Sequence, residues 1–131
     1  MAMQKMLTVR PEIAESTLRL LDKEAEHWRQ ATQESTARFG DESDDAVSYR
    51  KLNAALASAA KAVRAGEAFD VSTYWDGPGI NATASFLELA VCWEINHQIP
   101  WDDGSGIESR DWRYISDLAA LVADIECVRS L

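Results

Sequence analysis

The run Ile80-Asn81-Ala82-Thr83-Ala84-Ser85-Phe86-Leu87-Glu88-Leu89-Ala90-Val91-Cys92-Trp93-Glu94-Ile95 decides the fold. Its polar positions, Asn81, Thr83, Ser85, Glu88 and Glu94, leave apolar side chains on every side of a helical wheel. A helix apolar all round has to be buried. The expectation is therefore an all-α, single-domain bundle of four main helices around a buried central helix over 80–98. Asn81 is placed to cap that helix, and Pro100 ends it by biasing Ile99 away from helical geometry.

Outward from this run lie two glycine-containing turns, Tyr74-Trp75-Asp76-Gly77-Pro78-Gly79 before it and Pro100-Trp101-Asp102-Asp103-Gly104-Ser105-Gly106 after it. Each carries a Trp-Asp pair. Tryptophan is enriched among interface hot spots, and carboxylates beside it select an arginine- or lysine-rich partner. Trp75, Asp76, Trp101, Asp102, Asp103 and Glu108 are therefore the candidate partner-binding residues. The bland alternative is that both rings fold back to cap the ends of the central helix.

Toward the N-terminus, Met1 to Val9 shows no period and is left unassigned. Pro11-Glu12 opens a first helix, since proline's fixed φ suits the first helical position and an early carboxylate favours the positive end of the dipole. Ala14, Leu18, Leu21, Ala25, Trp28, Thr32, Ser35 and Phe39 form its seam, and Gly40 ends it. Ser43 caps a second helix with Asp44 and Asp45 in its first turn, a seam of Tyr49, Leu52, Leu56, Ala59 and Val63, and Gly66 as its stop. So short a turn makes the two an antiparallel hairpin. Glu67 to Gly79 reads as a connector rather than a strand. Ser109 caps the last helix, whose seam is Tyr114, Leu118, Leu121, Ile125 and Val128, widened by Ile115, Ala119 and Val122.

At 131 residues and 47% apolar content the chain suits one domain. No stretch reads as a secretory leader or a bilayer span, so the expectation is a soluble, cytoplasmic protein with Cys92 and Cys127 as free, buried thiols. Net charge is −9. Up to Arg64 acidic and basic residues cancel, whereas between Arg64 and Arg110 there is no lysine or arginine beside Glu67, Asp70, Asp76, Glu88, Glu94, Asp102, Asp103 and Glu108. Such a field repels nucleic acid and attracts basic partners.

Signals for chemistry are weak. Glu24-x-x-His27 and Glu94-x-x-His97 carry the two-ligand spacing of di-iron carboxylate bundles, but the second helix has no carboxylate between Asp45 and Glu67 to complete the set. Asp102 to Glu108 resembles a calcium loop in composition alone. Glu88 stands among apolar helical neighbours, which implies a buried pair with an arginine or a raised pKa. No metal or cofactor site is assigned.

The reading is a non-enzymatic, acidic binding protein that docks on the basic, nucleic-acid-binding type of surface of a partner. Anti-CRISPR and anti-restriction inhibitors of mobile elements are of that type, by analogy and without a shared motif. Alternatives are a toxin immunity protein, a self-associating helical subunit that completes its burial as a homodimer, or an enzyme using Glu88 or the Glu-x-x-His pairs.

Overall fold

A computed structural model describes residues 5–71, 86–98 and 112–130. Within them the order is β1 (Met6–Leu7), α1 (Pro11–Phe39), α2 (Asp44–Ala65), β2 (Phe69–Asp70), α3 (Phe86–Gln98) and α4 (Trp112–Arg129). The four helices and near absence of strand make it an all-α bundle. No described helix is long and apolar enough to cross a membrane.

Local chemistry sets the boundaries of the first hairpin. Pro11 occupies the first turn of α1 behind an extended Arg10, and the helix stops at Gly40, whose φ of 91° a side chain would strain. Ser43 then accepts the Ala46 N–H at 3.2 Å, with Asp44 and Asp45 at the positive end of α2. Gly66, left-handed at φ 70°, closes α2.

The expected connector beyond Gly66 contains a short strand. Met6 pairs with Asp70 and Leu7 with Phe69, antiparallel, and Val71 donates its N–H to the Lys5 carbonyl at 2.7 Å. Alternation explains it: Leu7, Val9, Phe69 and Val71 are all buried while Met6, Thr8, Arg10, Ala68 and Asp70 are not. The ladder ties the stretch before α1 to the end of α2, and so closes the α1–α2 side of the bundle.

Among the deepest side chains are Leu20 and Leu21 of α1, Leu118, Leu121 and Ile125 of α4, Val91 of α3, and Tyr114. The core therefore lies between α1 and α4, with α2 covering it through Leu52, Leu56, Ala59 and Val63. The expectation of a central helix buried on every side is not met by the described part of α3, and 80–85 lie outside the described residues. Leu87, Ala90, Val91 and Glu94 form one buried stripe, whereas Cys92, Trp93, Asn96 and His97 face solvent. The wheel misled because it counted cysteine and tryptophan as burial-seeking, while a 13-residue helix packed at the side of the bundle has one contact face. The same geometry corrects the thiols: Cys92 and Cys127 are free, as expected, but both are exposed.

Candidate functional site: the α3 face and the polar cluster behind it

Trp75, Asp76, Trp101, Asp102, Asp103 and Glu108 all lie outside the described residues, as do Asn81, Pro100, Ser109 and the calcium-like run 102–108. The structure does describe the helix that those turns flank, and what holds it.

Behind α3 is a polar cluster that sequence reasoning missed. Glu94 is buried at 6% exposure, and its carboxylate accepts from Lys23 Nζ of α1 at 3.1 Å and from the Tyr114 hydroxyl of α4 at 3.1 Å. One carboxylate thus joins three helices. The Arg19 guanidinium lies 3.9 Å over the Tyr114 ring, adding a cation–π contact from α1. Burial first, then the adjacent Glu94 carboxylate, pushes the Tyr114 phenol well above its ordinary value, so it stays a donor. Glu24, one turn along α1, accepts from Trp28 Nε1 at 3.0 Å. Burial raises its pKa, against the lowering effect of the indole hydrogen bond. A sequence signal existed: Glu94 falls three and seven residues from Val91 and Leu87, on the stripe that is buried.

Glu88 meets its expectation. It pairs with Arg129 at the far end of α4, and the two side chains are 15% and 19% exposed. Together Glu88–Arg129 and Glu94–Tyr114 clamp α3 antiparallel onto α4 at both ends. With Asp70, which accepts the Lys5 backbone N–H at 3.3 Å, three of the eight carboxylates in the lysine-free span are engaged in holding the fold among the described residues.

The interactions described for this set hold helices together. Glu24 and Glu94 come close enough to influence one another, yet His27 stands edge-on to Trp28 and His97 stacks against Trp93. Among the described residues no three His, Cys, Asp or Glu side chains gather where a metal could bind. An apolar gap between α2, β2 and α3, beside Leu56, Phe69 and Leu87, measures about 30 Å³. Ligand cavities run to roughly 300 Å³ and more. A larger cleft of about 210 Å³ between α1 and α4 is polar, and within it Ser16 Oγ already donates to Asp117 at 2.6 Å.

The outward face of α3 is different. Trp93 is 63% exposed, its ring tilted against His97 with centroids 4.4 Å apart, and Cys92 and Asn96 lie beside it. Partial burial, then Glu88 and Glu126, raises the Cys92 pKa and disfavours the nucleophilic thiolate. What this face presents is an exposed aromatic pair beside a free thiol. Comparison with protein-family models, with curated proteins and with solved structures finds no match for this chain.

Proposed function

We propose that this protein is a non-enzymatic inhibitor that docks through its acidic span, residues 65–109, onto a basic surface of a partner protein. That partner surface is of the kind that otherwise holds nucleic acid, as in anti-CRISPR or anti-restriction inhibition by mobile elements. The observation that carries the reading is the charge distribution: eight carboxylates and no lysine or arginine between Arg64 and Arg110. Glu88 and Glu94 are engaged by Arg129 and Lys23, and Asp70 by the Lys5 backbone N–H, so Glu67, Asp76, Asp102, Asp103 and Glu108 are assigned to the partner. Exposed charges steer encounter while buried aromatics set residence, which gives the aspartates and Trp75, Trp101 and Trp93 separate roles.

The test is capture of a partner from the native host, followed by association kinetics across salt. Asp102→Lys with Asp103→Lys is expected to slow association steeply at low salt and much less at high salt, with the helical circular dichroism unchanged. An unaffected rate, together with loss of binding on substitution of the outer faces of α1 and α2, would overturn the proposal.

A further inference from the structure

We infer that Trp93 and His97 form a platform on which an arginine side chain of the partner stacks. The inference rests on the basic-partner reading and deepens it by naming the group recognised and the place that receives it.

Three observations converge on α3. The first is exposure with fixed geometry: Trp93 is 63% exposed, yet its ring is held against His97, centroids 4.4 Å apart and planes tilted by 35°. The His97 ring is in turn anchored, because Nδ1 lies 3.2 Å from the Trp93 carbonyl oxygen. A carbonyl can only accept, so Nδ1 is the donor. The pair therefore offers a held indole face for a planar cation. Less side-chain entropy is lost on binding than for a freely rotating tryptophan.

The second observation is the sign of the charge carried by the stretch of sequence that contains the pair. The platform occupies the last turns of α3, where the carbonyls that lack an intrahelical partner at a helix C-terminus carry partial negative charge. It also lies in the span without lysine or arginine. A cation is favoured there and a phosphate is not.

The third is the contrast with Phe39, which is 68% exposed at the end of α1. Phe39 follows Arg38, in a part of the chain where acidic and basic residues cancel. Exposure at a helix terminus, which Phe39 shares, therefore does not single out Trp93; the ring partner His97 and the one-signed span do. Among cations, guanidinium fits best, since it is planar, weakly hydrated and stacks on aromatic faces, whereas an ammonium retains its water.

The experiment titrates the full chain at low salt with an oligo-arginine peptide and with an oligo-lysine peptide of equal length. The readouts are affinity and the indole N–H resonance of Trp93. Arginine is expected to bind more tightly than lysine and to shift the Trp93 resonance. Trp93→Ala should weaken arginine binding by roughly 3- to 30-fold and erase the preference, with Trp93→Phe recovering most of it and Phe39→Ala changing nothing. Binding that is equal for both peptides and indifferent to Trp93 would overturn the platform while leaving the basic-partner reading in place. Binding of neither peptide would overturn that reading and the platform with it. The wild-type resonance decides the matter even if a variant fails to fold: oligo-arginine that binds without moving it contradicts the platform.

Discussion

At the scale of single residues, the buried carboxylates decide stability more than they decide chemistry. Glu94 keeps Lys23 and Tyr114 in place, and Glu88 keeps Arg129. Glu88→Gln should lower unfolding stability in denaturant by about 1 to 3 kcal/mol, because it weakens a charge-assisted hydrogen bond in a largely shielded site. Tyr114→Phe should cost a comparable amount, since it leaves a buried carboxylate one donor short. An unchanged midpoint in either variant would show that the pair is not formed. Glu24 acts in the opposite sense. Burial raises its folded-state pKa, so the folded protein holds the proton over a pH range where the unfolded chain has lost it. Stability therefore falls as pH rises from the ordinary carboxyl value through the raised one. Glu24→Gln, which keeps an acceptor for Trp28 Nε1, should be the more stable protein at neutral pH, with an advantage that shrinks as pH falls through that window. Thermal melts of the two proteins across the acid range test this, and parallel curves would contradict it.

At the scale of helices, what was legible in the sequence was whatever a local signal specifies. Pro11, Gly40, Ser43 and Gly66 bound α1 and α2 where their backbone chemistry requires, and the seam Leu52, Leu56, Ala59 and Val63 is the buried one. On α4, Tyr114, Leu118, Leu121 and Ile125 were equally plain, although Ala119 faces solvent. What failed depended on neighbours. The seam of α1 omitted Ile13, Thr17 and Leu20, which are buried, and included Phe39, which is exposed. A helix packed on two partners buries two stripes, and no single spacing reveals the second. Arg10, Ser16, Arg19 and Lys23 reach α4 and α3, whereas Trp28 and Thr32 meet Tyr49 and Asn53 of α2. The far end of the α1–α2 hairpin thus has a thin seam, in which Ser35 Oγ is buried without a hydrogen-bond partner. Native-state hydrogen exchange should find amides of 30–50 opening well before those around Leu20, Leu118 and Leu121, because local opening follows the density of buried apolar contacts. Uniform protection along α1 would contradict this. Glu94 was missed for the same kind of reason, since its burial is set by Lys23 and Tyr114, which lie 71 and 20 residues away in the chain.

At the scale of the whole molecule, charge separates into two roles. Among the described residues Arg10, Lys23, Arg29, Arg64 and Arg129 pair with Asp124, Glu94, Glu26, Asp22 and Glu88, while the chain as a whole carries nine more negative than positive charges and so calls for external counter-ions. A partner that supplies them gains both rate and orientation. The most direct test is a hydrogen-exchange footprint of the complex with the captured partner. Protection within 65–109, including the end of α3 around Trp93 and His97, is the predicted result. Protection confined to the outer faces of α1 and α2, with 65–109 exchanging as in the isolated protein, would contradict the account.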